Sequence, residues 1–238
     1  MSWKLVENKS TYLEYDDPER VFRIIVSTKL SIGLKEHIGY DYIKSLIQVH
    51  SSKVYFVDSA TEAHKMEGDG LITKERGLFI GVKVADCYPL FLLDYSQPAL
   101  GVLHVGWRGA KEGIISKGVN KLIREFRSDP DSIHAVIGPG ICVNHYEVGE
   151  DFQQIKKFKP FLKRIKGKLH FDLHEFIKNE LKENDIYNIV DSPFCTYERE
   201  DLFWSKRRDG KILGEMWAFG KIIEFDTNIP VLGSLIPL

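Results

Sequence analysis

The stretch from 77 to 127 constrains the fold most, because its apolar residues change period partway along. Three short runs, GLFIGVKVA (77–85), PLFLLD (89–94) and ALGVLHVGW (99–107), are rich in the residues strands favour and are parted by polar or turn-forming residues. After Gly109 the spacing becomes three or four, through Ile115, Val119, Leu122 and Phe126, which predicts an amphipathic helix over 111–127 ending before SDPDS. The strands come first, as members of one or two mixed sheets, and the helices come later.

The flanking chain fits this frame. RVFRIIVST (20–28) and LIQVHSSKVYFV (46–57) read as further strands, and AVIGPG (135–140) as a short buried strand closed by a turn. Phe176, Ile177 and Leu181 make an apolar stripe for a second helix over 172–184, with Asp172 as its N-cap. IKKFKPFLKRIKGK (155–168) is basic and broken by Pro160 and Gly167, so it reads as a solvated surface segment. The tail from 191 onward, ending in IPVLGSLIPL, shows no placeable elements. No repeat, low-complexity tract or flexible linker divides the 238 residues, so residues 1–238 read as one domain.

Charge and cysteine content exclude several function classes. Basic and acidic side chains number 33 and 34, a net charge of -1, so no global field attracts nucleic acid or anionic lipid. MSWKLVENKS lacks the apolar core of a signal peptide, and runs such as Leu90 to Leu93 are too short to span a bilayer, which points to the cytoplasm. Cys87, Cys142 and Cys195 are odd in number and widely spaced, with no CxxC, so reduced thiols are expected rather than a disulfide framework or zinc finger.

His50, Cys87 and His104 each have an ordinary explanation as core residues when taken singly. Together they supply two imidazoles and a thiolate from three strand ends, the ligand set of an open catalytic zinc site. The same residues suit a metal-free thiol enzyme, with Cys87 as nucleophile and His104 as its base. In GWRGAKEG (106–113), Gly106, Gly109 and Gly113 surround Arg108 where strand gives way to helix, a candidate site for phosphate or a carboxylate, or else a tight turn with a surface arginine. GPGICVNHYEVGED (138–151) carries Cys142, His145, Tyr146 and Glu147 and either lines the same pocket or is a structural loop.

QVHSSKV (48–54), GDGLIT (68–73), VADCYPLFLLD (84–94), LGVLHVGWRGAKEGI (100–114), GPGI and YEVGED within 138–151, FDL (171–173), CTY (195–197) and SKRRDG (205–210) resemble, in this order, the motifs of the laccase-domain family. That bacterial group is variously labelled polyphenol oxidase, purine nucleoside phosphorylase and peptidoglycan editing factor. The resemblance implies a single α+β domain with a mixed, β-sandwich-like core and helices packed outside. It implies that His50, Cys87 and His104 bind one metal, usually zinc, in a pocket where Arg108, Asp69 and Asp86 contact substrate. It further implies phosphorolysis of adenosine, inosine or methylthioadenosine, deamination of adenosine, and face-to-face pairing into homodimers. Three positions depart from the family pattern: Lys29, where an arginine is usual; Ile177, where an asparagine is expected; and Glu215, where Gly-Arg commonly follows the RRDG turn.

The residues themselves favour a nucleoside enzyme over a multicopper oxidase. Eight histidines with no HxH pair cannot hold a four-copper cluster, whereas one His2Cys set suits zinc and also copper. Deamination would place water at C6 of adenine with Asp86 or Glu147 shuttling the proton, and phosphorolysis would hold phosphate at Arg108. A Cys87/His104 hydrolase of peptidoglycan precursors and a zinc-stabilised adaptor are the competing readings.

Overall fold

The computed structural model of the chain describes residues 2–39, 41–210 and 214–224. In chain order the elements are β1 (Trp3–Glu7), β2 (Thr11–Tyr15), β3 (Phe22–Ser27), α1 (Leu34–Ile38), β4 (Val54–Phe56), β5 (Gly70–Thr73), β6 (Ile80–Val84), β7 (Tyr88–Asp94) and β8 (Ala99–Val105). They continue with α2 (Trp107–Lys111), α3 (Ile114–Phe126), β9 (Ile133–Ile137), β10 (Leu162–Ile165), β11 (Lys168–Phe171), α4 (Leu173–Lys182), β12 (Asn188–Asp191), α5 (Lys206–Asp209) and β13 (Met216–Ile222).

Two sheets pack face to face. One is antiparallel in the order β1-β2-β3-β13-β6; the other runs β12-β9-β7-β8-β5-β4 and is mixed, since its outer pairs β12-β9 and β4-β5 are parallel. Every residue of β7 and β8 is buried, as expected of central strands covered on both faces. Alternation sorts their side chains. Phe91, Leu93, Leu100 and Val102 face the other sheet, whereas Leu90, Leu92, Leu103 and Val105 face the helices. Against the latter face α3 lays Ile115, Val119 and Leu122, each fully or almost fully buried and contributing roughly 1.5–3 kcal/mol. The expected α+β fold, a β-sandwich-like core with helices outside, is the one observed.

Several local expectations need correction. The run 46–57 is a strand only at Val54–Phe56, because the Asp69 carboxylate captures the backbone N–H groups of Val49, His50 and Ser51 and holds that stretch as a loop. The helix expected over 111–127 is α3, which starts at Ile114 because Gly113 at φ 80 turns the chain after the short α2 that precedes it. The basic segment 155–168 is not merely a surface stretch: Phe158 is fully buried, 4.4 Å from Phe171 and 5.0 Å from Phe176 between ring centroids, and Leu162–Ile165 pairs as a strand. Asp172 caps α4 as expected, accepting from the Glu175 N–H at 3.1 Å. The tail supplies the last residue of β12 and all of α5 and β13, and IPVLGSLIPL lies outside the described residues. No helix of the described residues is long and apolar enough to cross a membrane.

Candidate metal centre and its cleft

Strand register brings the site together. In the β7–β8 pair Tyr88 stands opposite Val105, so Cys87, one residue earlier, lies beside Gly106; in β5–β8 Gly70 stands opposite Leu103, so Asp69 lies beside His104. The His104 N–H donates to the Asp69 carbonyl at 2.7 Å and continues that ladder. His50 arrives from the 46–53 loop in a left-handed conformation, φ 58. Ligand atoms of His50, Cys87 and His104 all lie within 4.8 Å of one another, with His104 buried and Cys87 half-buried. Only His104 is inside a strand; Cys87 immediately precedes one, and His50 comes from the loop.

Asp69 organises this trio from behind. It is completely buried, and its Oδ1 accepts from His104 Nδ1 at 2.8 Å and from the His50 N–H at 3.0 Å. Its Oδ2 accepts from the Ser51 N–H at 2.6 Å and the Ser51 hydroxyl at 2.9 Å. A carboxylate that accepts from Nδ1 fixes the tautomer of His104 and leaves Nε2 as the donor atom for a metal. Burial opposes ionisation of Asp69, but the bonds from His104 and Ser51 outweigh it and hold the carboxyl below its ordinary range. Burial likewise opposes ionisation of Cys87, yet His104 and hydrogen bonds from both imidazoles bring that thiol down to about 6. A thiolate between two imidazoles, one of them oriented by a carboxylate, is a donor set fit for zinc or copper.

The glycines of GWRG have a steric role that spacing did not reveal. A Cβ on Gly106 would stand 2.9 Å from Cys87 Sγ and 3.3 Å from the His50 ring, and one on Gly109 would stand 2.7 Å from the Ser51 carbonyl oxygen. Both glycines let α2 close against the ligand loop.

A cleft of about 270 Å³ opens onto Cys87 and His50, lined also by Trp107, Arg108, Tyr146 and Lys206. A second concavity of about 400 Å³ adjoins it across Cys87 and His50 and reaches His104, Lys83 and Glu215. The Arg108 guanidinium lies 4.6 Å over the Trp107 ring and has no ion pair or hydrogen bond among the described residues. Arg207 donates to the Glu147 carbonyl at 2.6 Å and lies 5.4 Å over the Tyr146 ring. Tyr146, raised by burial first, stays protonated at neutral pH.

Asp86 lines the cleft, but its carboxylate is engaged: Oδ1 accepts from the Thr196 hydroxyl at 2.7 Å, and Oδ2 accepts from the Ser205 hydroxyl at 3.1 Å and the Arg207 N–H at 2.7 Å. The bend that aims it there is at Asp86 itself, φ 81. Glu147 faces away and pairs with Lys168 at 2.8 Å. Of the departing positions, Lys29 sits 4.4 Å over the Trp204 ring and Glu215 lines the second concavity and pairs with Lys83 at 3.3 Å. Ile177 is fully buried in the core and is not part of the cleft rim. Sequence reasoning did not single out Trp107, Lys206 or Arg207 for the cleft; the SKRRDG motif was the signal for the latter two.

Known proteins resemble the chain along most of its length. A purine nucleoside phosphorylase of Deinococcus radiodurans is 32% identical over 207 residues, covering 85% of this chain and 78% of that protein. A purine nucleoside phosphorylase of Clostridium acetobutylicum is 31% identical over 232 residues, covering 89% and 96%, and adenosine deaminase RL5 of an unknown prokaryotic organism is 30% identical over 203 residues, covering 78% and 77%. The crystal structure of the Bacillus licheniformis hypothetical protein YfiH superposes with a TM-score of 0.82 at 24% identity, over 92% of this chain and 98% of that one. The family model described as multi-copper polyphenol oxidoreductase laccase matches residues 11–222, and the chain belongs to that family.

Proposed function

We propose that the chain is a metal-dependent purine nucleoside enzyme, with zinc held by His50, Cys87 and His104, which cleaves adenosine, inosine or methylthioadenosine with phosphate and deaminates adenosine. The observation that carries this reading is a cleft that opens onto His50 and Cys87 of the His2Cys trio and whose walls offer two aromatic rings and the unpaired Arg108 guanidinium. The names of the relatives, purine nucleoside phosphorylase and adenosine deaminase, agree with it. Zinc bound there supplies Lewis acidity without redox chemistry.

The chain's own residues divide the remaining work. Arg108 and Lys206 hold the phosphate, Arg108 through a fork kept oriented by stacking on Trp107. Trp107 and Tyr146 enclose the purine, and the protonated Tyr146 hydroxyl donates to a ring nitrogen as the base accepts the electron pair of its glycosidic bond. Asp86 acts as a positioning residue: by holding Thr196, Ser205 and the Arg207 N–H it keeps α5, and with it Lys206, at the cleft. Asp69 is the positioning residue for His104 and His50. A four-copper oxidase does not fit, because only two histidines belong to the trio and the second concavity adds none beyond them.

The lowered Cys87 thiol beside His104 favours one other reading, a thiol nucleophile with an imidazole base. Incubating the protein with adenosine, with and without phosphate, and separating inosine, hypoxanthine and adenine tests both. Adenine formation only with phosphate, lost in Arg108→Ala and after chelation, supports the proposal. Silence with every purine nucleoside, together with ester or amide hydrolysis that survives chelation and is lost in Cys87→Ser, replaces it with the hydrolase.

A further inference from the structure

Beside the cleft, two turns face each other. Cys142 and His145 stand three apart in one, Cys195 and Glu198 three apart in the other. Each is closed by its own backbone, the His145 N–H donating to the Cys142 carbonyl and the Arg199 N–H to the Cys195 carbonyl, both at 3.1 Å. The first is a 3-10 turn and the second a wider turn closed over four residues, and in both geometries side chains at i and i+3 lie to one side. The turns are joined where Gly140 bridges Cys195 and the Thr196 N–H donates to the Gly140 carbonyl at 3.0 Å.

That joint gathers four groups with metal-binding chemistry. Ligand atoms of Cys142, Cys195 and Glu198 lie within 4.8 Å of one another, and Cys142 Sγ is 3.6 Å from Glu198 Oε1. His145 Nε2 meets the same carboxylate oxygen at 3.0 Å, and its ring stacks on Tyr197 with centroids 4.1 Å apart. The Cys142 N–H donates to Cys195 Sγ at 3.2 Å. The backbone N–H groups of Tyr197 and Glu198 also hydrogen-bond to the Cys195 sulfur. A sulfur ringed by amide donors is stabilised as thiolate, the form that binds metal.

None of these four side chains lines either concavity at the His50–Cys87–His104 trio. A disulfide would use the two sulfurs and leave the oriented carboxylate without a task, whereas a metal uses all of them. We propose that Cys142, Cys195 and Glu198, with His145 orienting the Glu198 carboxylate, form a second metal site for a thiophilic divalent ion such as zinc. Two thiolates and a carboxylate leave a fourth tetrahedral position for water. An ion there would tie the 195–199 turn to the 141–146 loop, from which Ile141 and Tyr146 enter the cleft.

The test uses the full chain with its first site removed, Cys87→Ala/His104→Ala, stripped of metal and titrated with Co2+ and Zn2+. The expected result is one tightly bound cobalt with near-ultraviolet sulfur-to-cobalt absorption, displaced by zinc, and a melting temperature that zinc raises. Adding Glu198→Gln, an exposed change that leaves the core intact, is expected to weaken cobalt binding at least tenfold; adding Cys142→Ser/Cys195→Ser is expected to abolish the absorption. Cobalt bound without that absorption, no binding, or binding unchanged in Glu198→Gln overturns the proposal. So does a thiol count showing Cys142 and Cys195 already joined as a disulfide in the metal-free protein.

Discussion

Replacing Asp69 by asparagine tests how the ligands are held. The carboxylate offers two oxygens, Oδ1 to His104 Nδ1 and the His50 N–H, Oδ2 to the Val49 and Ser51 N–H groups and the Ser51 hydroxyl. An amide keeps one oxygen and turns an NH2 toward the donors of the other, so at least two donors lose their acceptor. At about 1–3 kcal/mol for each orphaned donor, the loss is about 2–6 kcal/mol. For a chain of this size that lowers the melting temperature by roughly 2–4 °C per kcal/mol. Either tautomer of His104 becomes possible, and the left-handed His50 loses its anchor, so zinc affinity falls about 10–100-fold. Denaturant titration gives the first quantity and competition against a chromophoric chelator the second. A loss below about 1 kcal/mol with unchanged zinc affinity would refute the role assigned to Asp69.

Gly106→Ala places a methyl group 2.9 Å from Cys87 Sγ; chelator competition is expected to show at least tenfold weaker zinc binding, with little change in the denaturation midpoint of the metal-free protein. Phe158→Ala empties a fully buried site among Phe171 and Phe176 and is expected to cost about 3–5 kcal/mol in urea unfolding; a cost near zero would restore the surface reading of 155–168. Burial favours the neutral form of Asp94, but bonds from Ser128, Ser96, the Gln97 N–H and Ser132 outweigh it and hold the carboxyl below its ordinary value. Its stabilisation is therefore present above the unfolded value of about 3.9 and lost as pH falls through the lower folded one, so Asp94→Asn is expected to flatten the stability profile below about pH 4.

The parts of the fold legible in the sequence are those where one physical requirement dominates. β7 and β8 are buried on both faces and so read as unbroken apolar runs, and α3 and α4 read from their spacing. β1 and β2 mix Lys4, Glu7 and Glu14 with their apolar residues, which masks strand character, and β13 needs β3 and β6 beside it to become a central strand. The loop 46–53 misleads for the opposite reason, since Ile47 and Val49 imitate a strand while being 48% and 43% exposed. The trio was legible because thiol and imidazole chemistry is rare enough to stand out. The work of Asp69 was not, because it depends on a register that sets Gly70 against Leu103, and the cleft walls combine Trp107, Tyr146 and Lys206 from distant parts of the chain.

Adding zinc back to metal-free protein while following adenosine consumption with phosphate present tests the central claim most directly. No turnover before zinc, a rise as zinc is added, and none at any zinc level in Cys87→Ala is the result the His50–Cys87–His104 centre predicts. Full turnover in the metal-free protein, or in Cys87→Ala, would contradict it.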